Sequence, residues 1–289
     1  MTGRTRDFEG MLAAMRPRLH RYCARMVGSA IDGEDIVQEA MMRALAAWPS
    51  VGPLDNPEGW LFRIAHNAAL DQLRRRSRAP IMLTEELDLI AAPDTPDPDI
   101  AMTSLRTFLR LPALQRGVVI LKDVLGHSLD EVAAITGASE PAAKSALQRG
   151  RARLREIATE PDDTAPPMLS NAMRVRLVAY VEGFKAGDFD AVRAMLADDV
   201  RLDLVARLRR EGKSEASEYF GRYAATDRWA FAAGIIDGRA AMLVYDREES
   251  LETPVYFVGL DFAGDRVVAI RDFLFARYAM DGVEMRPLA

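Results

Sequence analysis

Within GHSLDEVAAITGASEPAAKSALQRGRARLRE, Lys144, Gln148, Arg151 and Arg155 recur every three or four residues. On a helix this spacing gathers an ammonium, an amide and two guanidinium groups into a stripe about 60° wide. Cations in such a stripe grip phosphate oxygens, and the amide can pair with base edges. The flanking sequence supplies the elements that must hold it. Ser128 and Glu131 fit a capping box, Gly137 suits the left-handed residue that ends a helix, and Ser139 can cap the next one. Two short helices joined by a tight turn make a helix-turn-helix. Ala143, Leu147, Gly150 and Leu154 form a separate apolar stripe facing the preceding helices. Without the turn the basic stripe reads as a solvated face; with it, DNA binding is the expectation.

Two further helical faces carry polar chemistry. GWLFRIAHNAALDQLRRRSR sets Trp60, Arg63, Asn67 and Arg74 on one side and Leu61, Ala65, Ala68 and Ala69 on the other. An aromatic ring, an amide and arginines together suit an unpaired base and its backbone, although Trp60 alone also fits a core or rim position. In IDGEDIVQEAMMRALAAWPS, Asp35, Gln38, Glu39 and Met42 share a stripe opposite Val37, Ala40, Met41, Ala44 and Trp48. An acidic stripe repels DNA but suits a basic protein partner.

The chain of 289 residues is long enough for two or three domains. Its net charge of −5 hides a segregation. Residues 1–160 carry 21 basic and 21 acidic side chains, leaving 17 and 22 of the chain's 38 and 43 for the rest. Arg74, Arg75, Arg76 and Arg78 cluster, whereas Ala79 to Leu105 holds six acids and no base. That acidic, proline-rich stretch reads as a linker over 79–103. Residues 159–170, containing EPDDTAPPM, read as a second. A single cysteine, Cys23, and three scattered histidines suggest neither a disulfide framework nor a structural metal, and no cofactor is implied. The N-terminal MTGRTRDFEG lacks the apolar segment of a secretory signal, and no run suits a membrane span, so a cytoplasmic protein without membrane contact is expected.

Helical periodicity dominates residues 1–78 and 104–158. From 171 to 289 the pattern changes to helices followed by alternating segments, with hairpin signals at Asp237-Gly238 and Gly264-Asp265. A two-residue turn at Gly264-Asp265 pairs Asp261 near Val268 and Phe257 near Asp272. That register puts Asp261, Asp272, Phe257, Ile270 and Leu274 on one face. Two carboxyls on an apolar face would define a pocket able to raise a carboxyl pKa.

The first three blocks resemble, in order and spacing, a small extracytoplasmic-function (ECF) sigma factor of the sigma-70 family. The resemblance covers about residues 8–158. EDIVQEAMMRALAAW resembles region 2.2, which docks on the coiled coil of the polymerase β′ subunit; this implies that Asp35, Gln38 and Glu39 meet core RNA polymerase. NPEGWLFRIAHNAALDQLRRR resembles regions 2.3 and 2.4, implying that Trp60, Arg63, Asn67, Arg74, Arg75 and Arg76 lie at the −10 promoter element. The stretch from LPALQRG to RARLR resembles region 4, implying that Lys144, Ser145, Gln148, Arg149 and Arg151 approach the −35 duplex and that the β flap is a partner. The family often has Lys-Ser-Arg-Leu where this chain has Lys144-Ser145-Ala146-Leu147, which implies an altered −35 preference.

Residues 171–289 resemble a SnoaL-like domain, a cone of helices on a curved sheet. The expected architecture is therefore multidomain: two all-α modules, the second with a helix-turn-helix, and an α+β cone. A promoter-specificity subunit is the leading reading. The cone would then regulate it, through contact with the helical modules or a small ligand. The alternatives are a sigma-like DNA-binding repressor and a C-terminal isomerase or hydrolase using Asp261 or Asp272.

Overall fold

A computed structural model describes residues 3–76, 100, 103–160 and 168–288. Most of the two expected linkers, and Arg78, lie outside these residues. The chain divides into two compact units, Met1–Asp162 and Asp163–Ala289.

In the first unit, α1 (Gly3–Val27), α2 (Ala30–Ala47) and α3 (Pro57–Arg76) bury their apolar stripes against one another. The turn between α1 and α2 uses Gly28 at φ +70°, and Ser29 caps α2 by accepting from the Asp32 amide at 3.2 Å. Gly33 then permits a close crossing: a Cβ there would sit 2.6 Å from the Ala24 backbone. Four more helices follow: α4 (Leu105–Phe108), α5 (Ala113–Val119), α6 (Leu129–Thr136) and α7 (Glu140–Thr159). A π-type turn over Ile120–Val124 extends α5, with the Leu125 amide donating to the Ile120 carbonyl at 3.0 Å.

The expected helix-turn-helix is present. Ser128 and Glu131 exchange both capping-box bonds, Gly137 adopts φ +72°, and Ser139 caps α7. Gly150 lets α7 lie close on α5, since a Cβ would meet the Val119 side chain at 2.6 Å.

The two helical modules share one hydrophobic core, running from Phe8 through Phe62 and Val119 to Leu154. Polar contacts reinforce the junction. Buried Arg116 donates to the Met26, Leu109 and Leu111 carbonyls at 2.5, 3.2 and 2.8 Å. His127 packs edge-on against Phe62 with ring centroids 4.8 Å apart, and Asn56 reaches Glu131 at 3.5 Å.

The second unit has helices α8 (Asn171–Ala186), α9 (Phe189–Ala194) and α10 (Lys213–Ala224) with a mixed seven-stranded sheet. Its strands are β1 (Leu196–Leu204), β2 (Leu208–Glu211), β3 (Trp229–Ile236), β4 (Arg239–Asp246), β5 (Tyr256–Ala263), β6 (Arg266–Asp272) and β7 (Met285–Pro287), in the order β2-β1-β6-β5-β4-β3-β7. Only β1 and β6 run parallel. Both expected two-residue hairpin turns form, with Asp237 and Gly238 at φ +50° and +80° and Gly264 at φ +59°. Leu177, Tyr180, Phe184 and Phe220 from the helices meet Val258, Val267 and Ile270 of the sheet in the core.

Candidate nucleic-acid interface and C-terminal cleft

On α3, burial of Leu61, Phe62, Ala65, Ala68 and Ala69 turns Arg63, Asn67, Arg74, Arg75 and Arg76 outward, all exposed. The three consecutive arginines occupy the helix C-terminus, where the backbone dipole favours cations. They are held by acids: Arg74 by Asp71 at 3.3 Å, Arg75 by Glu39 at 3.6 Å and Arg76 by Asp32 at 2.8 Å. Trp60 is half-buried beside Phe8 and Trp48, at centroid distances of 6.2 and 6.4 Å. Its ring is therefore a rim member of an aromatic cluster and not a free-standing platform. Nearby, His66 accepts or donates a 2.6 Å bond with the Tyr22 hydroxyl, and burial, aided by Arg74, lowers its pKa to about 4.

On α2, Asp35, Gln38 and Glu39 are half-buried along one side, while Val37, Ala40, Met41 and Ala44 are buried. Met42 is 65% exposed and Leu45 39% exposed, placing apolar surface beside the acidic stripe. Glu39 is bonded to Arg43 at 2.5 Å as well as facing Arg75.

The structure corrects the wheel drawn for α7. Lys144 and Arg155 are exposed and Gln148 is half-buried, but Arg151 is only 2% exposed. Its guanidinium lies against the π-type turn and donates to both Asp123 oxygens, Nε at 2.9 Å and Nη2 at 2.5 Å. Arg151 is thus a buried tie between α7 and the element before the helix-turn-helix. Ser145 is buried too, and accepts from Arg149 at 2.8 Å, so it orients that arginine from beneath.

The C-terminal register also departs from expectation. A bulge between Asp261 and Phe262 pairs Asp261 with Ala269 and Val258 with Asp272. One residue of slip exchanges faces. Asp261 is therefore exposed, and Phe257 is buried in a stack on Phe273 with centroids 4.2 Å apart; neither shares a pocket with Asp272.

Asp272 is 1% exposed at the floor of a cleft formed with Leu204, Tyr219, Tyr223, Trp229 and Leu274. It accepts from the Tyr223 hydroxyl at 2.7 Å and the Leu274 amide at 2.8 Å, and Tyr223 lies 3.1 Å from the Tyr256 hydroxyl. Burial raises the carboxyl pKa, while the Tyr223 and Leu274 bonds oppose that rise. Burial likewise pushes the Tyr180, Tyr219 and Tyr223 hydroxyls well above their ordinary range, with Asp272 adding to it. These tyrosines escaped the sequence reading. Tyr219 and Tyr223 sit one turn apart in α10, a spacing that resembles an ordinary core stripe.

Known proteins account for the helical arrangement. Residues 11–79 match Sigma-70 region 2 and residues 105–154 match Sigma-70, region 4. The chain is 32% identical to the RNA polymerase sigma factor CarQ of Myxococcus xanthus, covering 53% of this chain and 90% of that one. It is 28% identical to the ECF RNA polymerase sigma factor SigG of Mycobacterium tuberculosis, covering 93% of this chain and 81% of that one. Among solved structures, it is similar to the ECF sigma factor SigJ of M. tuberculosis (20% identity, TM-score 0.35, 91% of this chain and 95% of that one). Part of it is similar to a putative ketosteroid isomerase from Kribbella flavida (20% identity, TM-score 0.30, 36% and 77%). The chain belongs to the sigma-70 family, in its ECF class, and acts as an RNA polymerase sigma factor.

Proposed function

We propose that α2 docks on the β′ coiled coil through Asp35, Gln38 and Glu39, with Met42 and Leu45 supplying the apolar contact. Arg63, Asn67, Arg74, Arg75 and Arg76 of α3 serve the −10 element, with Trp60 at their edge. Lys144, Gln148 and Arg149 of α7 serve the −35 duplex, with Ser145 as the support of Arg149, and the second module meets the β flap. The observation that carries this reading is the exposure of five polar side chains on α3 while its apolar side is buried. Work beside RNA polymerase makes the cytoplasm its place of action.

The shared core of the helical modules supports a closed resting form. A globule of about 160 residues has a radius of gyration of about 15 Å and so spans about 40 Å. Promoter elements about 25 base pairs apart lie about 85 Å apart at 3.4 Å per pair. The modules must part to reach both, and residues 79–103 are the joint. Gly117 lies at the junction, where an added Cβ would sit 3.2 Å from the Tyr22 hydroxyl and 3.4 Å from the His66 ring. Gly117→Leu is expected to open the pair and raise promoter occupancy at limiting core polymerase; unchanged occupancy with an unchanged intermodule fluorescence-transfer distance would refute closure.

The C-terminal unit is read as a regulator, not an enzyme. Asp261 points away from the cleft and no histidine lines it, so Asp272 has no second acid or base beside it. The regulatory role operates through contact with the helical unit or through a small ligand.

A further inference from the structure

We propose that the cleft over Asp272 binds a small, uncharged organic molecule carrying a hydroxyl or carbonyl oxygen. The inference deepens the regulatory reading and rests on it only for what binding achieves, not for binding itself.

The hydrogen-bond inventory drives the argument. Tyr223, Tyr256 and the Leu274 amide form a closed chain with Asp272. Two more buried hydroxyls, on Tyr219 and Tyr180, have no hydrogen-bond partner. A buried polar group left unpaired is costly, so native structures pair nearly all of them. Tyr219 lines the cleft itself, so an oxygen placed there completes its bonding.

Charge and shape narrow the class. Asp272 has no ion-pair partner among the described residues, and its neighbours are tyrosines. Arg222, whose charge favours the Asp272 carboxylate, is exposed at the rim. An acid held among hydroxyls in this way offers donors to a neutral oxygen and nothing that demands a cation or metal. Leu204, Leu274, Phe275 and the half-buried Trp229 give the walls an apolar, partly aromatic character suited to a flat ring. The cleft holds about 280 Å³ of unfilled space, part of it open to solvent, which limits the occupant to a small molecule.

The test is calorimetric titration of the full chain with p-cresol and cyclohexanone, with toluene as the control of similar shape lacking oxygen. At least one oxygen-bearing probe is expected to saturate with a Kd of about 1 mM or tighter. Toluene is expected to bind about tenfold more weakly, the loss of one hydrogen bond. Tyr219→Phe keeps the ring and the fold, and is expected to weaken p-cresol about tenfold without altering toluene. Absence of saturable binding by both oxygen-bearing probes would mean that the cleft holds only water and would overturn the proposal. So would equal affinity for toluene, or binding indifferent to both Tyr219→Phe and Tyr223→Phe. Core-dependent transcription is independent of these readouts, so failure here leaves the sigma assignment standing.

Discussion

Asp123 and Asp272 are both buried aspartates, each on the internal side of its unit, yet they do opposite work. Asp123 is clasped by the Arg151 guanidinium with two hydrogen bonds and fixes α7 to the turn before it. Asp272 has tyrosine and amide donors but no cation, and burial raises its pKa. A buried carboxyl with a cation is a structural tie; one without is a group whose charge is negotiable. The comparison separates the part of the molecule that must hold a DNA-reading helix from the part with spare bonding capacity.

The largest expected effect breaks the first member. Asp123→Ala leaves the Arg151 charge buried and unpaired, and is expected to cost the helical unit about 3–5 kcal/mol in denaturant unfolding. Replacing both, as Asp123→Leu with Arg151→Met, should restore most of that loss. If Arg151→Met alone instead lowered DNA affinity and its salt slope without destabilising the unit, Arg151 would be a DNA contact after all.

A pH series sharpens the contrast next. His66 is held near pKa 4 against an ordinary 6.5, so the folded helical unit takes up its proton less readily than the unfolded chain. Its contribution is present above about pH 6.5 and lost as pH falls through 4, amounting to about 3 kcal/mol. Asp272 has the opposite sign. Its raised pKa makes its contribution complete below about pH 3.9, and lost as pH rises through the folded value. Subtracting an Asp272→Asn variant from the wild type should therefore reveal a C-terminal penalty that grows with pH. Subtracting His66→Gln should reveal a helical penalty that grows with acidity. Equal signs for the two differences would dissolve the distinction.

The smallest effect concerns the exposed half of α7. Lys144→Ala should leave stability within about 0.5 kcal/mol and weaken −35 duplex binding, with the salt slope reduced by about 1. Arg149→Ala should weaken binding as well, and Ser145→Ala should do so more mildly by releasing Arg149.

What was legible in the sequence follows from the range of the interactions. Ser128, Glu131, Gly137 and Ser139 announce the helix-turn-helix because caps and left-handed turns are satisfied within four residues. Asp237-Gly238 announces its hairpin for the same reason. Arg151 looked like a DNA contact because a helical wheel shows that it borders the basic stripe but not that Asp123, 28 residues earlier, waits beneath it. Asp261 was assigned to the wrong face because one bulge, invisible in the residue pattern, shifts the register beyond Phe262. The junction of the two helical modules depends on contacts such as Arg116 to Met26 across 90 residues, which no local pattern encodes.

The central claim is that this chain directs core RNA polymerase to promoters through α2, α3 and α7. Reconstituted transcription with bacterial core polymerase on a pool of promoters tests it most directly, comparing the full chain, residues 1–168 and the Asp35→Arg variant. The expected result is initiation that requires both core and chain, is lost with Asp35→Arg, and differs in level between the full and shortened chains, the sign of that difference giving the direction of C-terminal control. Sequence-specific duplex binding by the chain alone, with neither core binding nor initiation from any promoter, would contradict the account.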